Sequence, residues 1–100
     1  MSLKCIHLYA VASLFFPLLI RMKKNAELLR VTGLVLRKLR IEAGLSQEEL
    51  AARAGISRSM IDKIERRERL PSLDVLIKLS KGLKMDASEI VQLFERELSG

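Results

Sequence analysis

Residues 44–65 read GLSQEELAARAGISRSMIDKIE, and their pattern predicts two short helices joined by a tight turn. Ser46, followed three residues later by Glu49, has the signature of a capping box at the start of the first of these helices. Gly55 supplies the backbone freedom that the turn needs, and Ser57 is a candidate N-cap for the second helix. We expect this corner to hold the second helix rigidly while its polar, positively charged outer face stays free.

Three more helices are predicted around the corner, and no stretch alternates as a strand would, so the fold class is all-α. Apolar residues at helical spacing predict a helix from about Leu28 to Ala43, in which Gly33 weakens the start by roughly 1 kcal/mol relative to Ala. Residues 71–72 predict the start of a fourth helix, and residues 86–89 the start of a fifth. The inner faces of helices two to five are predicted to carry Leu50, Ala51, Ala54, Ile61, Ile64, Leu73, Leu76, Ile77, Ile90, Leu93 and Phe94.

The composition favours a small basic binding domain over an enzyme. The 100 residues carry 18 Lys and Arg against 12 Asp and Glu, a net charge of +6, and 49% are hydrophobic. The excess positive charge lies in residues 22–45 and 53–69, which suits a polyanion such as nucleic acid, although a solvated surface has the same pattern. Cys5 and His7 are the only residues of their types. We therefore expect no catalytic residues, no metal site and no cofactor.

Several spaced motifs carry a family resemblance from about Gly33 to Phe94. They are Leu36-x-x-Leu39-Arg40, Leu45-Ser46-Gln47-x-x-Leu50-Ala51, Gly55-Ile56-Ser57, Ile61-x-x-Ile64-Glu65, Pro71-Ser72-Leu73 and Leu79-x-x-x-Leu83. With these motifs the chain resembles the phage repressor and Cro-type helix-turn-helix family, also called the xenobiotic-response-element (XRE) family. The resemblance implies a five-helix bundle of the lambda-repressor-like DNA-binding fold. It also implies a homodimer that binds double-stranded DNA at a palindromic operator, with the helix of residues 57–66 in the major groove.

The resemblance further implies which residues read DNA bases. Arg58 and Ser59 match positions at the start of the recognition helix that contact base edges, and Arg58 suits a bidentate contact with guanine O6 and N7. Lys63 is implied to reach a base or a phosphate. Asp62 is implied to accept a hydrogen bond from cytosine N4, or to orient Arg58 through an i, i+4 pair. The plainer interpretation of each is a solvated or structural residue of the helix surface.

Phosphate contacts are implied at both ends of the corner. Gln47 matches a phosphate-clamping position at the N-terminus of the first helix of the corner, where free backbone N–H groups also favour an anion. Its plainer role is that of a helix-start residue. The other phosphate-binding candidates are Ser57, Arg66, Arg67 and Arg69.

One ion pair and two departures also follow from the resemblance. Arg40 and Glu65 match a charge pair that ties the first helix to the recognition helix. Arg67 and Lys84 stand where the family commonly has glycine. If the position of Arg67 requires a positive φ, we expect strain of about 1 kcal/mol there, and otherwise a different path for the loop that leads to Arg69.

Residues 1–24 form an apolar extension of uncertain role. No charge occurs from Cys5 to Ile20, but this run is shorter than the ~20 residues that span a bilayer, and Pro17 interrupts it. Three interpretations stay open. Met22 is the natural start of the protein, or the segment packs in a dimer or on a partner, or it is a short membrane anchor. The predicted DNA-binding domain is residues 28–98.

The sequence therefore predicts a cytoplasmic, sequence-specific transcriptional regulator, such as a restriction-modification controller or an antitoxin, with no small-molecule ligand. We expect a homodimer that associates through its fifth helix, with Phe94 and Leu98, although Phe94 also suits the core. Two alternatives keep the same fold. One is a protein-interaction module or antitoxin-like protein that binds a partner, and the other is a membrane-tethered regulator that uses residues 5–20.

Overall fold

The computed structural model describes the backbone of residues 17–99 and the side chains of residues 25–98. Over residues 17–99 the chain forms helices and no strand, so the expected all-α architecture of five helices is confirmed. The helices are α1 (Pro17–Glu42), α2 (Gln47–Ala54), α3 (Arg58–Glu65), α4 (Leu73–Gly82) and α5 (Ala87–Ser99). α1 packs against α3 and α5, α2 packs against α3 and α4, and α4 packs against α5. The helix α3 is therefore supported by both α1 and α2.

The first helix is longer than predicted, because α1 begins at Pro17 rather than near Leu28. Proline suits the first turn of a helix, where its missing N–H has no helical partner to lose. Residues 18–32 contain no further proline or glycine, so nothing in this stretch interrupts the helix. Gly33 consequently lies well inside α1 and not at its start. Residues 1–16 of the apolar extension lie outside the described range, and within residues 17–99 no helix has the length and apolar character needed to span a bilayer.

The corner between α2 and α3 has the caps that its sequence predicts. The hydroxyl oxygen of Ser46 accepts a hydrogen bond from the Glu49 N–H at 3.0 Å, and the Glu49 carboxylate accepts one from the Ser46 N–H at 3.2 Å. Gly55 ends α2 with a φ of 72°, in the left-handed region that glycine adopts without strain. Ser57 caps α3 by accepting a hydrogen bond from the Met60 N–H at 3.1 Å. These bonds fix where α2 and α3 begin and thus the turn between them.

Every helix contributes a side chain to one apolar core. The most deeply buried residue of each helix is at most 2% exposed: Val31, Leu50, Ile64, Leu79 and Ile90. Burying a side chain of this size stabilises a fold by about 1.5–3 kcal/mol. The core thus fixes the side of each helix that faces inward, and it confirms the predicted inner faces of α2 and α3.

Two exposed residues of α4 correct a prediction, and the burial of Phe94 in α5 decides between two. Leu73 and Ile77, predicted to face inward, are 73% and 40% exposed. A helical side chain lies over the turn that precedes it, and Leu73 is the first residue of α4, so no preceding turn places it against the core. Phe94 is 8% exposed and belongs to the core, which is one of the two roles expected of it, whereas Leu98 is 39% exposed.

Within residues 17–99, two residues other than glycine adopt left-handed backbone angles. Arg67 has a φ of 65° and Lys84 has a φ of 57°. These are the two positions at which the sequence departs from the glycine that is common in the family it resembles. A residue with a Cβ atom pays roughly 1–2 kcal/mol for this conformation. The loop after α3 therefore does require a positive φ at Arg67, and the expected strain is present.

Candidate nucleic-acid interface

The helix α3 has a buried side and an exposed side. Ile61 and Ile64 are 2% and 1% exposed, and they anchor the helix in the core. Arg58, Ser59 and Lys63 are exposed to solvent. A rigid helix with polar, accessible side chains near its N-terminal end has the shape and chemistry that the major groove of DNA accepts. The three side chains are accessible as expected, and their contacts with bases stay predictions.

Arg58 forms an ion pair with Glu48, which lies in the first turn of α2. The Arg58 Nε atom is 2.9 Å from the Glu48 Oε1 atom, and the two side chains are 58% and 65% exposed. The pair with Asp62 that the i, i+4 spacing suggested does not form, because Asp62 has other partners. The guanidinium group of Arg58 is therefore oriented by Glu48 of α2 and not by a residue of its own helix, α3.

Asp62 is half-buried and accepts hydrogen bonds from two side chains. Its Oδ2 atom lies 3.3 Å from Arg66 Nη1, and its Oδ1 atom lies 3.5 Å from Gln47 Nε2. Both carboxylate oxygens thus already have donors within the protein. This arrangement favours a structural role for Asp62 over the acceptance of a hydrogen bond from cytosine.

Gln47 connects the start of α2 to the last turn of α3. Its amide nitrogen donates to Glu65 Oε1 at 3.2 Å in addition to Asp62. The NH₂ group therefore points at two carboxylates of the protein. In the observed conformation the side-chain NH₂ group of Gln47 is already bonded to these carboxylates. A phosphate at this position would therefore be bound by a rotated side-chain amide or by the free backbone N–H groups of α2.

The Arg40–Glu65 pair lies beneath this surface and confirms the expected tie between α1 and α3. Arg40 donates from Nε to Glu65 Oε2 at 2.7 Å and from Nη2 to Oε1 at 2.9 Å, a bidentate geometry. Its third nitrogen, Nη1, donates to the carbonyl oxygen of Leu45 at 2.9 Å. The side chains of the pair are 12% and 6% exposed. The hydrogen bonds to Glu65 raise the pKa of Arg40, partial burial opposes the rise, and the negative charges of Glu65 and Glu48 add to it.

The arginines after α3 that are candidates for phosphate contacts differ in whether they already form ion pairs with carboxylates of the protein. Arg66 pairs with Asp62 at 3.3 Å and with Glu68 at 2.9 Å, and its side chain is 61% exposed. Arg67 and Arg69 are exposed, and among the described side chains neither forms an ion pair. Arg67 and Arg69 can thus approach a phosphate without first giving up a carboxylate.

Ser57 and Arg37 complete the polar surface around the corner. The exposed hydroxyl of Ser57 accepts a backbone hydrogen bond at the start of α3, and its own proton is available for a phosphate oxygen. Arg37 was not among the predicted site residues, although it precedes Arg40 by one turn on α1, and this spacing is the signal that could have found it. It lines an open notch of about 220 Å³ together with Arg40, Gln47, Asp62, Glu65 and Arg66.

Comparison with protein families decides the class of the protein. The sequence model of a family described as helix-turn-helix matches residues 36–90, which span α2, α3, α4 and the corner. The chain belongs to the helix-turn-helix family. The relatives that it matches are named as transcriptional regulators of the helix-turn-helix type, and the resemblance to the XRE and Cro type is confirmed.

Two curated relatives share the domain at moderate identity. An uncharacterised helix-turn-helix transcriptional regulator from Sinorhizobium fredii is 36% identical over 62 residues, which cover 62% of this chain and 80% of the relative. A protein from Methanocaldococcus jannaschii, named as a transcriptional regulatory protein of the helix-turn-helix type, is 32% identical over 79 residues. The match covers 79% of this chain but only 25% of that archaeal protein, so the chain spans about a quarter of its length.

Solved structures with the same architecture include restriction-modification controller proteins. The wild-type controller protein C.Esp1396I superposes with a TM-score of 0.67 at 30% identity, covering 73% of this chain and 96% of that one. The controller protein C.AhdI from Aeromonas hydrophila has a TM-score of 0.60 at 40% identity, covering 62% of this chain and 94% of that one. The similarity therefore extends over nearly the whole length of each of these two solved chains.

Proposed function

We propose that this helix-turn-helix protein regulates transcription by binding a palindromic operator as a homodimer, with α3 in the major groove. The observation that carries the proposal is that α3 has a buried apolar side and an exposed polar side. Two buried isoleucines anchor the helix, while Arg58, Ser59 and Lys63 stand in solvent on a surface that is rich in arginine. An arginine at the start of such a helix suits guanine, whose O6 and N7 atoms accept two parallel hydrogen bonds.

Phosphate contacts flank this helix in the proposed complex. Arg67 and Arg69 follow α3, and the exposed hydroxyl of Ser57 and the backbone N–H groups at the start of α2 precede it. Gln47 and Arg66 can contact phosphate through their side chains only after they exchange their present bonds to carboxylates for bonds to phosphate oxygens. Such contacts position the protein on DNA without reading sequence, and each makes binding more sensitive to salt.

Two copies of α3 in a homodimer would read half-sites one DNA turn apart, roughly 34 Å. Leu98 of α5 remains a candidate for the contact between the copies because it is exposed, whereas Phe94 is not available. By similarity to the named controller proteins, we propose a small regulator of a restriction-modification type of operon. It acts in the cytoplasm without a small-molecule effector.

The decisive experiment is the selection of bound sites from random double-stranded DNA. We expect enrichment of one palindrome whose half-sites are centred about 10 base pairs apart. Affinity for that palindrome should fall steeply between 50 and 200 mM salt, as several phosphate contacts require. A failure to enrich any sequence, together with a flat salt response, would contradict the proposal.

The same DNA separates this function from that of a protein-interaction module. Arg58→Ala should weaken binding to the selected palindrome by about 1–3 kcal/mol and relax the preference for guanine. Arg96→Ala, which removes the same charge from α5, is the matched control and should leave that preference unchanged. If Arg58→Ala changes nothing while a protein partner is still bound, the fold serves protein recognition instead.

A further inference from the structure

Glu48 is an acidic residue on the surface that the proposed function turns toward DNA. It lies in the first turn of α2, a position where a negative charge is favoured by the helix dipole. It is not part of the capping box, which uses Glu49. Its carboxylate is 65% exposed and repels phosphate, so its place on a DNA-binding surface calls for a role beyond helix capping.

The contact of Glu48 with Arg58 uses one particular edge of the guanidinium group. The carboxylate meets the Nε atom, at 2.9 Å. A guanidinium group has five N–H donors in one plane, and only one of them is on Nε. The four N–H bonds of the two terminal nitrogens therefore remain for another acceptor. Guanine O6 and N7 accept a bidentate contact of this kind from arginine.

We propose that Glu48 is a positioning residue that determines specificity by holding Arg58 ready for guanine. This inference rests on the proposed function. The carboxylate reduces the number of directions that the long Arg58 side chain samples, and so lowers the entropy lost when it meets a base. An exposed ion pair is weak in water, but exclusion of water at a DNA interface strengthens it.

The negative charge of Glu48 also affects the affinity of the protein for nonspecific DNA. Phosphate contacts supply nearly all of the affinity for nonspecific sequence. A carboxylate on the interface lowers that affinity, and it also offers Arg58 a partner that competes with a phosphate. Repulsion of phosphate lowers specific and nonspecific affinity alike. Glu48 is therefore expected to raise the ratio of specific to nonspecific affinity through Arg58, by orienting its guanidinium group and by competing with phosphate for it.

The test compares Glu48→Ala with wild type on the selected palindrome and on unrelated DNA of the same length. We expect the ratio of the two affinities to fall by about two- to fivefold, the range of an exposed ion pair. Nonspecific affinity should rise, while specific affinity stays level or falls. Glu48→Gln keeps an oxygen that can accept from Nε, so it should retain part of the orientation while it loses the repulsion.

The matched control is Glu68→Ala. Glu68 is also exposed and also pairs with an arginine, Arg66, at 2.9 Å, but Arg66 is a phosphate candidate and not a base-reading one. Removing this charge should raise specific and nonspecific affinity together and leave their ratio unchanged. Circular dichroism melting checks that each variant is folded, which the exposure of both glutamates leads us to expect.

A second readout isolates Arg58. Replacing each operator guanine by 7-deazaguanine removes N7, so wild type should lose affinity at the guanine that Arg58 contacts, and Glu48→Ala should lose less. In an Arg58→Ala background, Glu48→Ala should no longer reduce the ratio. An unchanged ratio in the Glu48→Ala single variant, with both affinities raised equally, overturns the inference and leaves the proposed function standing. A wild-type protein that selects no sequence overturns the proposed function first.

Discussion

Gly33 of α1 lies directly against the backbone of Ile64 in α3. A Cβ atom at Gly33 would be 2.6 Å from the Ile64 carbonyl oxygen and 3.2 Å from that of Glu65. Cβ atoms do not approach a backbone oxygen this closely, and a backbone carbonyl cannot turn aside as a flexible side chain can. The absence of a side chain at Gly33 therefore sets how closely α1 can support the helix proposed to enter DNA.

Gly33→Ala should lower the free energy of unfolding by about 1–3 kcal/mol through overpacking. In an open helical position the same change would stabilise the protein by about 1 kcal/mol, because alanine favours helix more than glycine does. The sign of the effect thus reports whether the two helices touch. Urea denaturation measures it, and a stabilised variant would mean that α1 and α3 are further apart than described.

Arg40→Ala should lower the free energy of unfolding by about 3–5 kcal/mol, because it leaves the buried carboxylate of Glu65 without its charged partner. DNA binding should be lost with it, since α3 then loses its tie to α1. Lys78→Ala is the control, because it breaks the exposed Lys78–Asp74 pair and should cost less than about 1 kcal/mol. Equal losses in the two variants, measured by thermal melting, would show that the Arg40 pair behaves as a surface pair.

Lys84→Gly should raise the free energy of unfolding by about 0.5–1 kcal/mol. It relieves the strain of a side chain at a φ of 57°, and part of the gain is offset by the greater freedom of glycine in the unfolded chain. Lys84 is not among the proposed DNA contacts, so operator affinity should stay constant. A destabilised variant would show that the Lys84 side chain makes a contribution larger than its backbone strain.

Lys63→Ala is expected to weaken binding to all DNA sequences by a similar factor. A lysine presents a single flexible charge, which suits a phosphate better than the fixed pattern of a base edge. The slope of log affinity against log salt should decrease by about 1. A loss confined to the selected palindrome, with an unchanged slope, would assign Lys63 to a base instead.

A chain that begins at Met22 should keep the fold, with a change of less than about 0.5 kcal/mol in its free energy of unfolding. The reason is that Val31 is the first buried side chain of the described residues 25–98. A chain that begins at Val35 removes Val31 and should unfold. If the Met22 chain loses its fold or its dimer, residues 1–21 pack on the domain or on a partner.

The corner could be predicted from sequence because its instructions are local. The helix caps are hydrogen bonds that span three residues, and they involve Ser46, Glu49 and Ser57. Gly55 adopts left-handed backbone angles, which glycine reaches without strain because it has no side chain. Residues this close in sequence meet in almost any context that forms the turn. The positive φ at Arg67 is one of two outcomes that the family resemblance left open, because glycine is common there in the family.

The contacts that sequence reasoning missed all depend on how helices are placed relative to one another. The partner of Arg58 is Glu48 on the preceding helix, whereas i, i+4 spacing suggested Asp62. The amide of Gln47 meets Glu65, which is 18 positions away. The start of α1 differs from the prediction because Pro17, which interrupts the apolar run in the sequence, occupies the first turn of the helix. The outward position of Leu73 depends on where α4 begins, because no preceding turn places it against the core.

Ile61 and Ile64 anchor α3 in the core, whereas Arg58 and Ser59 are exposed and the one ion pair of Arg58, with Glu48, is itself exposed. If these two side chains read the operator as proposed, its preference can be redesigned by exchanging them at little cost to the stability of the fold. Position 62 lacks this freedom, because the Asp62 carboxylate accepts hydrogen bonds from Gln47 of α2 and from Arg66. A library built to reprogramme this protein should vary positions 58 and 59 and keep position 62 constant.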